Sequence, residues 1–514
     1  MFEGQPKGLY ALALANTGER FGYYTMIAVF ALFLRANFAE IGVDAGWAGE
    51  IFSDFLMLVY FLPIVGGFMA DRFGYGKMVT IGIIIMFLGY LFLSIPLGGS
   101  WTGLSAMLAA LVLIALGTGL FKGNLQVMVG NLYEDSAYAA KRDAGFSIFY
   151  MAINIGALFA PTAAIKIMEW GQHDLGMSIN DSYHLAFAVA CASLILSIGI
   201  YYAFRFTFRH TEGEKRGVKS TAEAPIEELS KEETKQRIVA LCLVYAVVIF
   251  FWMAFHQNGL SLTYFADEFT EKTASGAHTL PFDVWNLVAL IFLVYAGFSV
   301  FQSKSSQGKL ISGIVAMAAI GFLAYQYTLS TGASMSIDAP IFQQFNPFYV
   351  VALTPVSMAI FSSLAKKGKE PSAPRKIAYG MLVAAIAFVL MIFASQGLNT
   401  PTEQAALADP EAGKYGPLAS PYWLISVYLV LTFGELLLSP MGISFVSKVA
   451  PPKYKGLMMG GWFVATAIGN KLVAVSGYLW GDLPLWVVWT VFIALCLLSA
   501  LFMFAMMKRL EKVA

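Results

Sequence analysis

The sequence predicts an all-α membrane protein of fourteen spans, and three observations carry that reading. The 514 residues are 58% hydrophobic and only 13% charged, with a mean hydropathy of +0.68; soluble domains carry about 25% charge. The apolar residues gather in stretches near twenty residues long, the length an α-helix needs to cross a bilayer core of about 30 Å. Lys and Arg collect in alternate short loops, as they do on the inner side of a membrane.

The first six stretches are Leu9–Arg35, Trp47–Ala70, Met78–Ile95, Gly103–Val129, Phe146–Met168 and Tyr183–Phe206. A seventh is Ile238–Tyr264, followed by Val284–Phe301 and Leu310–Leu329, which carry few polar residues. The last five are Asn346–Leu364, Ile377–Ala394, Tyr422–Val446, Gly456–Leu479 and Leu485–Met507. The first is not a cleavable signal, because Glu19 and Arg20 stand at its centre. With the N-terminus inside, one set of loops holds Arg72, Lys77, Lys141, Arg142, Lys304, Lys309, Lys366, Lys367, Lys369, Arg375, Lys376, Lys448, Lys453 and Lys455, and the tail adds Lys508, Arg509 and Lys512. The opposite loops hold few, such as Lys272 and Lys414. Both termini are therefore expected in the cytoplasm. The charged run Thr207–Arg237, with Glu227, Glu228, Lys231, Glu232 and Lys235 in helix-compatible order, reads as a solvated linker carrying a short surface helix. It divides the chain into 1–206, the linker 207–237, and 238–514.

Other classes fall away. Lys and Arg total 33 against 32 Asp and Glu, which gives no basic surface for nucleic acid. Cys191, Cys242 and Cys496 lie far apart in apolar runs and read as small packing residues rather than a disulfide framework. No His-Glu-x-x-His, phosphate loop or metal motif occurs; no catalytic residue, metal or cofactor is expected.

The informative residues are ionisable groups inside the spans: Glu19, Arg20, Asp54, Lys122, His256, Glu435 and Lys471. A bare charge at the membrane centre costs roughly 3 kcal/mol or more, so these residues must pair or line a polar pathway. Asn16, Arg20, Tyr23 and Tyr24 share one helix face, and Lys122 and Gln126 are one turn apart. Tyr60 and Tyr150 add hydroxyls on other polar spans. The first half thus supplies a cationic wall and Glu435 an anionic one, which suits a zwitterion with separated ends. Ser439-Pro440, Gly442, Gly460, Gly461 and Gly469 suggest bends used in gating.

Several motifs resemble known ones. Gly67-Phe-Met-Ala-Asp71-Arg72-Phe-Gly74-Tyr-Gly-Lys77 resembles the signature loop of the major facilitator superfamily, with Asp71 placed to cap a helix end. Asn16-Thr-Gly-Glu19-Arg20-Phe-Gly-Tyr23-Tyr24 resembles the first-helix motif of the proton-coupled oligopeptide transporter family. Phe149-Tyr150-Met-Ala-Ile153-Asn154-Ile-Gly156-Ala-Leu158, Phe121-Lys122-Gly-Asn124 and Gly434-Glu435-Leu-Leu-Leu-Ser439-Pro440-Met-Gly442 are similar to that family's motifs in helices five, four and ten.

The resemblance implies a major facilitator fold, two six-helix bundles around a cavity, here with two extra helices inserted at 284–329 and expected to pack on the outside of one half. It implies import of di- and tripeptides by proton symport with alternating access, in a bacterial inner membrane. By motif position Arg20 and Lys122 would meet the peptide carboxylate and Glu435 its amino terminus, with Tyr24, Tyr60, Asn154, Asn346 and Trp462 lining the pocket. Three positions depart from the family pattern: Asn16 and His256 stand where it has carboxylates, and Ile27 where it often has Arg. Glu19, Asp54, His256 and Glu435 are the remaining candidates for the proton. A carrier of another small anion or zwitterion, such as nitrate or an amino-acid derivative, and a peptide sensor that does not transport are the alternative readings.

Overall fold

The computed structural model describes residues 4–213, 229–303, 305–409, 414–451 and 454–513. Lys304, Lys453 and residues 214–228 of the expected linker, including Glu227 and Glu228, lie outside these residues. Among the described residues, fourteen helical stretches are long and apolar enough to cross a membrane, and each overlaps one expected span.

The first bundle comprises α1 (Lys7–Phe38), α2 (Ala45–Phe73), α3 (Tyr75–Leu93), α4 (Trp101–Asn131), α5 (Arg142–Asp174) and α6 (Ile179–Ala203). Small residues let these helices approach closely, the means of packing where lipid removes the hydrophobic drive between helices. A Cβ added to Gly66 of α2 would come within 2.0 Å of the Gly119 carbonyl of α4. Gly156 of α5 likewise sits 2.7 Å, by its missing Cβ, from the Thr17 carbonyl of α1.

The seventh span is not one helix. It runs as α7 (Lys231–Phe255), a 3₁₀ turn at His256–Gly259, and α8 (Ser261–Phe269). Strands β1 (Thr273–Ser275) and β2 (Ser334–Ser336) then pair antiparallel, clamping the two ends of the inserted helices α9 (Val284–Gln302) and α10 (Ser306–Ser330). The bundle continues with α11 (Phe345–Lys366), α12 (Ala373–Ala394), the short α13 (Pro401–Leu407), α14 (Tyr422–Val449), α15 (Lys455–Lys471), α16 (Val475–Leu479) and α17 (Leu485–Val513).

α9 and α10 pack mainly on each other, and only Ala319 and Ser330 of α10 are buried. They do lie outside, but they touch both halves rather than one: α9 packs on α11 and also meets α5, where Trp285 stands edge-on to Phe159 at 5.4 Å.

Two local expectations are corrected. The sixth span stops at Ala203, and residues 205–207 and 209–211 form two 3₁₀ turns that return the chain to α3. There the Glu212 carboxylate accepts from Arg205 at 2.6 and 2.5 Å and from the Tyr201 hydroxyl at 3.2 Å, while its carbonyl accepts the Gly76 amide. The start of the charged run is therefore folded structure. Asp71 caps no helix: it accepts from the Tyr75 hydroxyl at 2.8 Å, and α3 begins at Gly74 without a side-chain cap. Apart from these, Gly442 seats an aromatic ring, since its Cβ would fall 2.0 Å from Trp462, and α14 is one helix with Pro440 inside it; neither observation bears on gating.

The bundles meet most closely at one end. α2 packs on α15 and α16, and α5 on α11 and the turn at 339–344. Two ion-pair clusters bind that end: Arg35 of α1 to Glu268 of α8, and Lys471 of α15 to both Glu50 and Asp54 of α2. Trp480 Nε1 donates to the second oxygen of Glu268 at 3.0 Å. Gln343 donates to the Ala28 carbonyl at 3.2 Å, and Thr162 to Gln344 at 3.1 Å.

Candidate functional site: buried polar clusters of the two bundles

Helical spacing places Glu19, Arg20, Tyr23 and Tyr24 at the middle of α1, where burial forces each charge to find a partner. Arg20 Nε and Nη2 donate to the two Glu19 oxygens at 2.5 and 2.6 Å, with 3% and 1% of the residues exposed. The guanidinium also lies 4.7 Å from the centre of the Tyr23 ring, and Tyr23 meets Tyr24 edge-on at 5.2 Å. A fork-to-fork pair of this kind satisfies both ions with little charge left over.

Lys122 of α4 is different. Its ammonium sits 4.0 Å above the Tyr60 ring, and it forms no ion pair among the described residues. A cation over an aromatic face is attracted by about 0.5–2 kcal/mol, far less than a buried carboxylate would supply. The family pattern's carboxylate at Asn16 is missing here, and the Asn16 amide nitrogen is itself buried without a partner.

His256 completes this wall from the other bundle. It opens the 3₁₀ turn after α7, stacks on Trp252 at 5.2 Å and 24°, and lies 5.9 Å from the Tyr60 ring. Its Nδ1 is buried with no hydrogen-bond partner.

The opposite wall is Glu435 of α14. Asn346 of α11 donates to Glu435 Oε2 and to Thr432 Oγ1, each at 3.0 Å, and no cation pairs with the carboxylate among the described residues. Tyr24, Tyr60 and Tyr150 stand within electrostatic reach of Glu435, and the first two also of Arg20. Tyr150 keeps 46% of its surface open although it sits between the bundles. The Asn154 amide donates back to the Tyr150 carbonyl at 3.0 Å. Trp462, 3% exposed, packs on Gly442 behind this wall.

The structure therefore brings Glu19, Arg20, Tyr24, Tyr60, Lys122 and His256 into one linked cluster, and Asn346 with Glu435 into another facing it. It does not bring Asp54 there. Asp54 accepts from Lys471 at 2.5 Å in the closed end of the bundles, with Glu50 on the same ammonium.

Comparison with known proteins identifies the family. The POT family profile matches residues 76–226 and 319–480, more than half of the chain. The chain belongs to the POT family. An uncharacterized transporter of Bacillus subtilis, YclF, is 30% identical over 499 residues, covering 94% of this chain and 90% of its own. A di-/tripeptide transporter of Lactococcus lactis subsp. lactis is 28% identical over 500 residues, covering 92% and 89%. The crystal structure of a peptide transporter POT in complex with sulfate is 26% identical, with a TM-score of 0.64 over 100% of this chain and 96% of that one.

Within this POT-family transporter, sequence reasoning missed Glu50, Arg35, Glu268 and Glu212. Arg35, Glu268 and Glu212 stand at or beyond helix ends and Glu50 in the second turn of α2, near the expected membrane boundary, where charged residues are ordinary and carry no signal of pairing. Thr432, one turn before Glu435, could have been found from its position on the same face.

Proposed function

We propose that this POT-family member imports di- and tripeptides by proton symport with alternating access. The single observation that carries the reading is a pair of opposite charges with no ion partner among the described residues: Lys122 over the Tyr60 ring in the first bundle, and Glu435, held by Asn346, in the second. An extended zwitterion satisfies both at once: its carboxylate meets Lys122, and its ammonium meets Glu435 beside Asn346. Each contact is a charge-assisted hydrogen bond, the strong kind in a site that excludes water. Tyr24, Tyr60, Asn154 and Trp462 supply the lining between the poles. The locked Arg20–Glu19 pair sets the field at the carboxylate end and offers the substrate the guanidinium's remaining N–H groups.

The 1–206 and 238–514 units then rock about the cavity. The closely packed end is read as the outer one, with both termini in the cytoplasm of a bacterial cell and the cavity opening inward. His256, Glu19 and Glu435 are the candidates for the transported proton. Asp54 acts in the outer closure through Lys471.

Uptake of labelled dialanine into proteoliposomes tests the reading. Accumulation above equilibrium with an inward proton gradient, abolished by a protonophore, supports it. Uptake that only equilibrates makes the protein a facilitator, and absence of both uptake and binding removes the transport reading.

A further inference from the structure

Away from the Lys122 and Glu435 clusters, the inserted helices carry a recess of their own. A crevice of about 560 Å³ opens between the outer part of α5, the N-terminal end of α9, the C-terminal end of α10 and the β1–β2 turn region. Its polar lining is acidic. Asp338 has no side-chain partner among the described residues, and burial, reinforced by the nearby Glu169 carboxylate, holds its carboxyl above the usual carboxylate range. Lys166 is engaged by Glu169 at 2.7 Å, and Asp283 caps α9 by accepting from the Trp285 amide at 2.8 Å.

Asn286 makes the crevice more than an acidic cluster. It is 3% exposed; its amide nitrogen donates to the Leu280 carbonyl at 3.0 Å, and its Oδ1 is buried with no partner. An orphaned acceptor in a lining wall calls for a donor.

The crevice does not end there. At Trp285 it joins a purely apolar groove between α9 and α10, lined by Val288, Ala289, Phe292, Ala319 and Phe322 among others. From Trp285 to Phe292 the groove runs about 10 Å along the helix, the length of roughly half an acyl chain. Trp285, Tyr325 and Tyr327 are all more than half exposed around this end, the placement aromatic residues take at the level of lipid headgroups.

We propose that the crevice and groove hold one aminophospholipid, its ammonium against Asp338 and Asn286 Oδ1 and one acyl chain along α9 and α10. The acidic lining disfavours an anionic headgroup, and the orphaned acceptor favours a head with N–H groups over a methylated one. Because the crevice is walled by α5 of one bundle and by elements inserted in the other, such a lipid bridges the two.

Native mass spectrometry of the intact, delipidated protein titrated with dioleoyl phosphatidylethanolamine, phosphatidylcholine and phosphatidylglycerol tests this. One ethanolamine lipid should bind about tenfold tighter than either of the others, the scale of one charge-assisted hydrogen bond. Asp338→Asn, an isosteric change outside the helices, should bring the ethanolamine lipid close to the choline lipid. Ala319→Trp should fill the groove and remove the tight site for all three. Equal affinities in the unaltered protein, or an ethanolamine preference that survives Asp338→Asn, overturns the proposal. Should Ala319→Trp fail to fold, the Asp338→Asn comparison still decides.

Discussion

Arg20 spends both arms of its fork on Glu19, the residue before it in the chain, while Lys122 rests on the Tyr60 ring and forms no ion pair among the described residues. Two cations expected to act alike are therefore in different states, and removing each should have a different effect.

Lys122→Met should weaken peptides with a free carboxylate by about 10–100-fold, the worth of a hydrogen bond between charged groups, and leave amidated peptides nearly unchanged. The protein should stay folded, since no carboxylate is stranded. Competition binding with dialanine and its amide checks this; equal losses for both would make Lys122 a packing residue.

Arg20→Ala should do more damage. It leaves the Glu19 carboxylate buried and unpaired, a change that costs about 3–5 kcal/mol, and should abolish transport. Arg20→Lys should recover little, because a point charge does not reproduce a planar fork. The double change Glu19→Gln with Arg20→Gln should regain much of the lost thermal stability without regaining transport. A stable, active Arg20→Ala variant would contradict the pairing as drawn.

The closed end supplies a third expectation. Lys471→Met releases Glu50 and Asp54 together and should shift the population toward opening at that end. Spin labels at Trp47 and Tyr478, exposed by 52% and 62% at the ends of α2 and α16, should show a longer distance component. An unchanged distance distribution would place the closure elsewhere, at Arg35 and Glu268 or in apolar packing.

The spans were legible because hydropathy and length alone decide them; each expected stretch overlaps an observed helix. Arg20, Lys122 and Glu435 were legible for the opposite reason, as charges too costly to sit in lipid. What the sequence hid is partnership. Asp54 looked like a cavity carboxylate because its position in α2 says nothing about Lys471, over four hundred residues away. Glu212 looked like linker because a charged run resembles solvated chain until Arg205 and Tyr201 close on it. The break at His256 is marked only by the four residues His256-Gln257-Asn258-Gly259 inside a long apolar run, and the close approach of Gly259 to the Phe52 ring is a tertiary contact that the sequence does not announce.

His256 itself is expected to separate binding from energy coupling. Its ring is stacked on Trp252 and joined to no ion pair among the described residues, and an imidazole is the side chain whose ordinary pKa lies nearest neutrality. His256→Gln should keep peptide exchange between the two sides and lose concentration of peptide under a proton gradient. Exchange assayed by counterflow, beside gradient-driven uptake, checks the split; full accumulation by the variant would leave Glu19 and Glu435 as the coupling candidates.

The central claim is that Lys122 and Glu435 grip the two ends of one peptide. Its most direct measurement is the affinity of free and N-acetylated dialanine for the protein with and without Glu435→Gln. The account predicts that the substitution weakens the free peptide by about tenfold or more and leaves the acetylated one, already weak, where it was. Equal weakening of both peptides, or no weakening of either, would contradict it.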